Sequence, residues 1–480
     1  MISFIKKHYP ILIYLIFFTC VFSVKIINNP APFYDWDESI YAQVGREMID
    51  NKSFLVPLWQ GEYWLDKPPL APLFYGIIMW ATPFILPEIS TRLATLYLSV
   101  LALILMYKLY FKVFKETYIT TLVIVITSVT QIFLQRAQVL NVDIFVLVGW
   151  IGYLLFYKKF TTSLIFLSLA VYSKSLIGFY PVGIILFFKI YQYFAHEINF
   201  KELKNTFIKM FIQALILFSW HIFMTINFGG QFLYQHFYES HFKRVTASIE
   251  SHFGQRTFYI DLLPMQFGAS IWYSILGFII LGWQFFRKKI SSNETLNSLF
   301  FFPWFLFLNL TKTKIFWYAH PYIGQFAFLI VYPITLLKRL GLFYYTIIFT
   351  SLILIINYSF IKNTVLDDFY SSKGAHHEVA VFAKNKCSKL NVLIPPDGRT
   401  AYTTLKEMNL LISTSHLWGN HPSMVYYYEK PVRFLYYLNE ANSILSSEKG
   451  CIVLSKEDEQ LGIGKKEIYS KDHLKLYKLN

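Results

Sequence analysis

The sequence predicts an all-α domain with many membrane-spanning helices, followed by a small exported α/β domain. Of the 480 residues, 55% are hydrophobic and only 15% are charged, whereas about a quarter of the residues in a soluble domain are charged. Apolar runs of roughly 17–22 residues recur over the first 360 positions, and each can cross the hydrocarbon core of a bilayer. Short basic clusters separate these runs, and the character of the chain changes after residue 360.

Six basic clusters set the predicted orientation, because short cytoplasmic loops are enriched in Lys and Arg. They are Lys6 and Lys7; Lys108, Lys112 and Lys115; Lys158 and Lys159; Lys189, Lys201, Lys204 and Lys209; Arg287, Lys288 and Lys289; and Lys338 and Arg339. Placing all six inside puts 16 of the 28 basic residues before position 361 in the cytoplasm, with only 4 of the 16 acidic residues. The net charge of +15 therefore reflects topology. It does not suggest nucleic-acid binding, which needs the charge gathered in one place.

Residues 70–86 decide how many spans there are. This segment is apolar enough to cross, but a crossing would invert every later basic loop. Residues 68–87 also contain five prolines, which favours a short, broken helix at the outer surface. We therefore predict about eleven transmembrane helices, a cytoplasmic N-terminus and juxtamembrane helices in the first outer loop. The predicted spans are 10–27, 90–107, 118–134, 141–157, 160–173, 176–190, 207–226, 266–286, 296–310, 315–337 and 341–360.

The chain divides into two predicted domains. Residues 1–360 form the multi-span domain, with a first outer loop at 28–89 and a second large one at 227–265. Residues 361–480 have balanced charge and shorter apolar runs, which indicates a small periplasmic α/β domain.

Strands and helices alternate in this tail. Residues 390–394 and 451–454 read as strands, and residues 378–386 and 439–447 as helices. The stretch 426–431 fits either a surface that faces the outer leaflet or the acceptor, or a strand with its turn. Cys387 and Cys451 can pair if the domain is exported, and two unrelated buried thiols are an equal alternative.

Carboxylates on the predicted outer side suit general-base chemistry. Asp37 and Glu38 open a segment with helical spacing, and Asp143 stands where a span begins, a costly position for an idle carboxylate. A carboxylate at an exposed helix start can take a proton from an acceptor hydroxyl. Helix capping by Asp35 and Glu38 is the alternative interpretation of this group.

Basic residues gather on the same outer side, against the topological bias. They are Lys67, Lys174, Arg244, Arg256, Lys312 and Lys314. Such cations can hold a phosphate and stabilise it as it leaves, whereas snorkelling beside interfacial aromatic residues is the alternative for Lys67. The sequence has no glycine-rich phosphate loop, no H-E-x-x-H and no C-x-x-C, so nucleotide, zincin and thiol chemistries lack support.

Several motifs resemble the GT-C membrane glycosyltransferases, and the resemblance runs over most of the chain. They are D-E-S-I-Y-A-x-x-x-R-E-M from Asp37 to Met48, Asp66-Lys67-Pro68, Arg92-Leu93, Leu140 to Asp143, Ser173-Lys174 and Lys314 to Tyr318. The strongest resemblance is to the lipid A 4-amino-4-deoxy-L-arabinose transferase group, with the protein O-mannosyltransferases as relatives.

The resemblance implies a role for each matching residue. Asp37 would be the catalytic base or position the acceptor, supported by Asp143 and joined by Glu38. Lys67, Lys174 and Tyr318 would bind the donor phosphate. From the predicted outer loop 227–265 we add Arg244 as a phosphate ligand and His252 as a substrate-binding residue, and Tyr41 and Arg92 of the matching motifs are also expected to bind substrate. Asp66 stands where these transferases usually have Glu. The shorter side chain of Asp66 argues against a metal ligand at this position. A divalent metal ion is kept as an alternative, and the predicted reaction does not depend on a cofactor.

The resemblance implies an inverting glycosyltransferase of the bacterial inner membrane. It would move a sugar, for example an amino sugar, from undecaprenyl or another polyprenyl phosphate to lipid A or another acceptor at the periplasmic face. Its partners would be that donor, a lipid A or protein acceptor and membrane lipids, but no nucleic acid. The alternatives are an enzyme like the protein O-mannosyltransferases, a lipid-linked sugar carrier without chemistry, and a membrane anchor for the tail. A carrier is disfavoured, because no predicted span has a charged residue near its middle.

Overall fold

The computed structural model describes residues 2–342, 344–352, 374–419 and 421–479. Residues 344–352 are helical. The other α-helices are α1 (Ile2–Asn28), α2 (Asp37–Asp50), α3 (Leu70–Ala81), α4 (Pro87–Phe114), α5 (Thr117–Ser128), α6 (Gln131–Gln138), α7 (Asp143–Phe156), α8 (Phe160–Lys174), α9 (Tyr180–Phe194), α10 (Phe200–Phe232), α11 (Arg244–Thr246), α12 (Phe258–Phe267), α13 (Trp272–Phe286), α14 (Ser292–Leu299), α15 (Phe302–Leu310), α16 (His320–Val331), α17 (Pro333–Arg339), α18 (Ala375–Lys386), α19 (Pro396–Glu407), α20 (Ser415–Trp418), α21 (Ser423–Tyr428) and α22 (Leu438–Ser447).

The described strands form two sheets. They are β1 (Leu58–Trp59), β2 (Glu62–Tyr63), β3 (Leu390–Leu393), β4 (Val432–Leu435), β5 (Gly450–Ser455), β6 (Lys466–Lys471) and β7 (Leu474–Leu479). The first two make an antiparallel hairpin. The other five make one sheet in the order β4-β3-β5-β7-β6, in which β4, β3 and β5 are parallel and β7 and β6 are antiparallel.

Two compact units make up the chain. Unit 1 consists of Met1–Asn28, Arg92–Ile226 and Gly254–Asp367, and unit 2 of Asn29–Thr91, Asn227–Phe253 and Asp368–Asn480. The segments expected to be large outer loops, 28–89 and most of 227–265, thus belong to the same unit as the C-terminal tail.

Six helical stretches in the described part of the chain are long and apolar enough to cross a membrane. They are Lys7–Asn28, Pro87–Phe114, Phe160–Phe194, Phe200–Thr246, Phe258–Phe286 and Phe316–Lys338. A seventh is added if α5 and α6, which meet at a 73° bend, count as one span. The mainly helical membrane fold is confirmed, whereas the predicted total of eleven spans is not. The last predicted span, 341–360, lies partly outside the described residues.

The stretch Phe160–Phe194 is interrupted where two separate spans were predicted. Ser175 adopts a φ of 53° between α8 and the following turn. Gly178 lies so close to the backbone of α8 that a Cβ there would be 2.4 Å from the nitrogen of Val171. Residues seven apart in a continuous helix are about 10 Å apart along its axis, so the chain folds back at this turn.

The segment that decided the span count forms a short helix. Helix α3 has 12 residues and a length of about 18 Å, which is too short to cross about 30 Å of hydrocarbon. It packs against α2 in unit 2 through two glycines. A Cβ on Gly45 would be 2.4 Å from the carbonyl oxygen of Pro72, and one on Gly76 would be 2.2 Å from that of Gly45. Only glycine at both positions allows this close approach.

The loops that carry the basic clusters contact one another in unit 1. The four acidic residues of these loops all have polar partners there: Lys115–Glu294 (3.3 Å), Lys338–Glu116 (2.5 Å), Lys189–Glu202 (2.9 Å) and Ser292–Glu197. The hydroxyl of Thr117 also donates to the carbonyl of Lys7 at 2.9 Å. Loops that are far apart in the sequence therefore meet at one end of the helices of unit 1.

The tail has the predicted alternation of helices and strands. β3, β5, α18 and α22 lie within one or a few residues of the segments predicted from the sequence, and buried residues such as Leu393, Ile452 and Leu454 form the core between them. Cys387 and Cys451 form a disulfide. The strand alternative for residues 426–431 is wrong. These residues end the short helix α21, whose last turn is closed by a left-handed Glu429.

Candidate functional site

A buried ion pair lies at the start of α7 in unit 1. The Lys174 ammonium donates a hydrogen bond to Oδ1 of Asp143, and the two side chains are only 11% and 6% exposed. The preceding Asn141 fixes the turn: its amide donates to the carbonyl of Arg136 at 2.7 Å, and its Oδ1 accepts from the nitrogen of Ile144 at 2.9 Å. Asn141 thus satisfies a free N–H of the first helical turn and holds Asp143 in place.

Aromatic rings flank the cations of this cluster. Lys174 lies 4.3 Å from the centre of the Tyr318 ring, and the Arg136 guanidinium lies 4.6 Å from the centre of the Trp317 ring. Both rings belong to a turn that ends where α16 begins. Cation–π contacts of this kind stabilise a positive charge where water is excluded, so the cluster keeps two cations beside one carboxylate.

Several buried polar atoms of this cluster have no hydrogen-bond partner among the residues that the structure describes. They are Oδ2 of Asp143, Oγ of Ser173 and both ring nitrogens of His320. Buried polar groups normally have partners, so such a concentration is unusual in a structural core. His320 is the first residue of α16, and it packs against the Phe133 ring at 5.4 Å. These atoms can accept hydrogen bonds from a bound molecule or donate hydrogen bonds to it.

The predicted first carboxylates lie at the start of α2 in unit 2. Asp37 is partly exposed, whereas Glu38 is buried. An oxygen of Glu38 accepts a hydrogen bond from the backbone nitrogen of Tyr34 at 2.8 Å, and the backbone turns sharply at Trp36, whose φ is 72°. Glu38 therefore holds the turn before α2, which is the capping interpretation for this residue.

Lys67 and Tyr41 contact each other in unit 2. The Lys67 ammonium donates to the Tyr41 hydroxyl at 3.1 Å and lies 5.5 Å from the centre of that ring and 6.0 Å from that of Trp64. Tyr41 is buried, and Lys67 is only partly so. The tyrosine thus fixes the direction of a cation that is still reachable by a ligand.

Asp66 is a buried, hydrogen-bonded residue of unit 2. Its Oδ2 accepts from the Thr414 hydroxyl at 2.9 Å, and its pKa is raised by burial, although the charges of Lys67 and Arg244 oppose this. No three His, Cys, Asp or Glu side chains anywhere in the described ranges are arranged to hold a metal ion. The charges of Lys67, Arg244 and Glu250 all act on Asp66, and two cations against one further carboxylate do not favour a divalent metal ion there.

Arg244, His252 and Asp37 are brought together in unit 2. Arg244 pairs with Glu250 at 3.3 Å, and Glu250 also accepts from the Ser415 hydroxyl at 3.0 Å. Burial lowers the pKa of His252. The nearby charge of Glu250 raises it, that of Arg244 lowers it further, and that of Asp37 raises it. His252 is therefore neutral at neutral pH and within electrostatic reach of Asp37.

Arg92 and Lys314 lie outside both the Asp143 cluster and the group of Arg244, His252 and Asp37. Arg92 is buried near the start of α4 in unit 1. Lys314 donates to the carbonyls of Leu308 and Asn309 at 2.9 and 3.0 Å, which satisfies the end of α15. Its amine is thus used by the fold and is not one of the cations available for a phosphate.

An unpredicted acid–imidazole group lies in unit 2. Oδ2 of Asp35 is 3.0 Å from Nδ1 of His421, and Oδ1 accepts from the nitrogen of Ser423 at 3.1 Å. Burial would raise the pKa of Asp35, but its bonds to His421 and Ser423 outweigh burial and lower it. The His421 ring stacks on that of His376 with centres 3.2 Å apart. Asp35 therefore does not cap α2, and nothing local in the sequence signals a partner almost 400 positions away.

No family model matches the sequence. An uncharacterized protein of Aquifex aeolicus (strain VF5) is 25% identical over 296 residues, which is 59% of this chain and 56% of that protein. The matched part of the chain therefore spans about half the length of that relative.

The fold is similar to that of solved membrane proteins. ArnT from Cupriavidus metallidurans has a TM-score of 0.69 in its structure bound to undecaprenyl phosphate and 0.64 in the apo state, with 12% and 10% identity and 97% of each chain covered. The apo oligosaccharyltransferase of Archaeoglobus fulgidus has a TM-score of 0.62 at 14% identity, over 94% of this chain and 70% of that chain. At these identities the likeness concerns the fold, and the expected GT-C fold is confirmed.

Proposed function

We propose that this chain is an inverting glycosyltransferase that moves a sugar from undecaprenyl phosphate or another polyprenyl phosphate to an acceptor. The proposal rests on one observation above all. A chain with the fold of ArnT, which has been solved bound to undecaprenyl phosphate, buries a carboxylate against a lysine and a tyrosine where an apolar helix begins. A carboxylate and cations in a dry environment are what transfer from a lipid phosphate needs.

Asp37 is the proposed base of the reaction. It takes the proton of the acceptor hydroxyl as the hydroxyl oxygen bonds to the anomeric carbon. The bond from that carbon to the phosphate oxygen breaks, and the lipid phosphate leaves with the electron pair. Attack from the face opposite the leaving group inverts the anomeric carbon. His252, which is neutral because burial lowers its pKa, adds no competing positive charge beside Asp37.

Cations bind the leaving phosphate in this proposal. Lys67 is directed by the Tyr41 hydroxyl, and Arg244 is held by Glu250, so both are positioned before the donor arrives. The resemblance assigns a phosphate-binding role to Lys174 and Tyr318 of unit 1 as well. There Asp143 positions Lys174, and its Oδ2 has no hydrogen-bond partner among the described residues. Preorganised cations stabilise developing negative charge without rearranging during the reaction.

Lipid A is the acceptor that we propose first, because ArnT is a lipid A aminoarabinose transferase. A protein hydroxyl is the alternative acceptor. We also propose that the chain lies in the bacterial inner membrane with the contacting basic loops in the cytoplasm, as expected for short basic loops. Unit 2, with its disulfide, would then face the periplasm, where disulfides persist.

Transfer by the purified full chain tests this function. Synthetic undecaprenyl-phosphate sugars serve as donors and lipid A or secreted protein as acceptors, for the wild type and Asp37→Asn. We expect transfer by the wild type and a loss of at least a hundredfold in the variant, because a general base contributes about 10²–10⁴ in rate.

Asp50→Asn is the matched control, since Asp50 is an exposed carboxylate at the other end of α2. It should transfer at the wild-type rate. No transfer by the wild type with any donor and acceptor would favour the carrier, and full activity of a folded Asp37→Asn would remove Asp37 from the mechanism.

A further inference from the structure

A cavity of about 340 Å³ lies at the basic end of unit 1. It is bounded by the end of α4, the start of α5, the loop from α13 to α14 and the region around α17. The charged part of its lining comes from three of the six basic loops and the residues beside them, namely Lys115, Glu116, Lys289, Glu294 and Lys338. Gln284, Tyr332 and Thr335 add uncharged polar groups. None of these residues takes part in the proposed transfer reaction.

The lining carries a positive excess, with three lysines against two glutamates. Lys115 pairs with Glu294 and Lys338 with Glu116, so each glutamate has a partner. Lys289 forms no ion pair with any residue that the structure describes. Its ammonium lies 5.4 Å from the centre of the Trp283 ring. One exposed cation therefore remains for an anion, and the side chains of Lys115 and Lys338 are 75% and 56% exposed and can turn toward it.

One part of the lining is apolar. Val113, Phe114, Ile119 and Ile290 form this part of the wall, and the cavity lies where apolar helices end. A small inorganic anion would leave these groups in contact with water. A molecule with an anionic head and an apolar body would cover them, which is favourable in proportion to the apolar area removed from water.

We propose that this cavity binds the phosphate headgroup of an anionic phospholipid from the leaflet that the basic loops face. Basic pockets between transmembrane helices on the cytoplasmic side recognise such headgroups. The site is distinct from the Asp143 cluster. Helices α16 and α17 lead from Tyr318 to Lys338, a path of about 30 Å at the helical rise. Inorganic phosphate shares the headgroup chemistry, but it has no part that would cover the apolar wall.

Thermal unfolding of the delipidated full chain in detergent tests the proposal. The probes are dioleoyl phosphatidylglycerol, dioleoyl phosphatidylcholine and inorganic phosphate. A ligand at free concentration L that binds only the folded state raises the free energy of unfolding by RT ln(1 + L/Kd), so we expect the Tm to rise with the phosphatidylglycerol concentration and not with the other two. Lys289→Gln should raise the Kd fitted to this rise roughly fivefold, because one basic side chain near a lipid surface contributes about that factor.

Lys288→Gln is the matched control, since Lys288 is the exposed neighbour of Lys289 in the same loop and does not line the cavity. It should titrate like the wild type. The Tm of both variants without lipid shows whether they fold, and lipid retained through purification, measured by mass spectrometry, gives a second readout. An equal response to phosphatidylcholine, an unchanged titration of Lys289→Gln, or competition by inorganic phosphate at millimolar concentration would each overturn the phospholipid site.

Discussion

The charge pair of Asp143 and Lys174 is the residue-scale feature with the largest energetic consequence. Both side chains are almost fully buried, so Lys174 depends on Asp143 for the stabilisation that water would otherwise give, and Asp143 depends first on Lys174 and then on the charge of Arg136. Removing one partner of a buried pair leaves an uncompensated charge and costs about 3–5 kcal/mol, whereas removing both charges together is often neutral.

This asymmetry predicts how a single and a double substitution differ. Lys174→Met should lower the Tm of the full chain strongly, and Asp143→Asn with Lys174→Met should recover part of that loss. Transfer activity should be absent from both, because the phosphate then lacks its proposed ligand. Equal destabilisation by the single and the double variant would show that the pair is not coupled, and activity in the refolded double variant would contradict the role of Lys174.

The sequence identified many residues of this scale but not their partners. Asp143 stood out because a charge at the end of an apolar run is costly, and Lys174 because a basic residue on the predicted outer side opposes the topological bias. Their pairing depends on how α7 and α8 fold back on each other, which no local pattern contains. The bond between Asp35 and His421 is a stronger case, because short-range spacing cannot reveal a contact made by tertiary folding alone.

At the scale of elements, the close packing of α2 against α3 depends on the absence of a Cβ atom at Gly45. Gly45→Ala would place a methyl group 2.4 Å from the Pro72 carbonyl, and the two helices would have to separate. We expect unit 2 to lose about 1–3 kcal/mol of stability, as in other overpacked cores, with reduced transfer. Gly183→Ala in α9 is the control: nothing lies within 4 Å of its Cβ position, so it should leave the Tm unchanged or slightly raised. A tolerated Gly45→Ala would contradict this packing.

The stacked histidines make the packing of α18 sensitive to acid. The pKa of His376 is lowered to about 3, first by burial and then by the nearby His421, while Asp35 opposes this and His473 adds to it. Between about pH 6.5 and pH 3 the unfolded chain binds a proton that the folded chain does not, so stability falls as the pH falls. At pH 5 the loss is about 2 kcal/mol.

Replacing the ring without replacing its packing tests this effect. His376→Phe keeps an aromatic ring against His421 but cannot titrate. The Tm of the wild type should fall more steeply than that of the variant between pH 7 and pH 5, and the two curves should meet near neutral pH. Parallel curves over this range would show that His376 does not control the acid response.

Helices and strands were predicted best where a local pattern of apolar and turn residues determines them without tertiary contacts. The tail strands β3 and β5 were found because short apolar runs end at turn residues. The bend of 73° between α5 and α6 was not predicted, since residues 118–134 read as one apolar run. Whether such a run stays straight depends on what packs against it. The fold-back at Ser175 was predicted because Lys174 interrupts the apolar pattern.

At the scale of the whole molecule, the disulfide is evidence about the compartment that the tail folds in. A link across 64 residues stabilises by about 4 kcal/mol in the chain-entropy treatment. The sequence has three cysteines, and Cys20 is free. A maleimide should therefore label one thiol in the denatured full chain before reduction and three after it. Three labelled thiols before reduction, in protein from an intact membrane, would mean that the tail does not fold in an oxidising compartment.

The mainly helical membrane fold was the most predictable property of the whole molecule, because repeated apolar runs indicate it without any tertiary contact. The clustering of the loops at 29–91 and 227–253 with the tail was not foreseen. It depends on contacts between segments that no linear pattern relates.

The two ion pairs at the basic end of unit 1 can form only if the helices between their partners have inserted correctly. Lys115 and Glu294, like Glu116 and Lys338, lie on loops separated by several helices. If one intervening apolar run failed to cross, the partners of a pair would finish on opposite faces of the bilayer, and neither could reach the other. A chain whose helices have all inserted correctly forms both pairs. A pair cannot form when an odd number of the helices between its partners fail to cross. Ion pairs between the basic loops thus stabilise the chain only once insertion is complete.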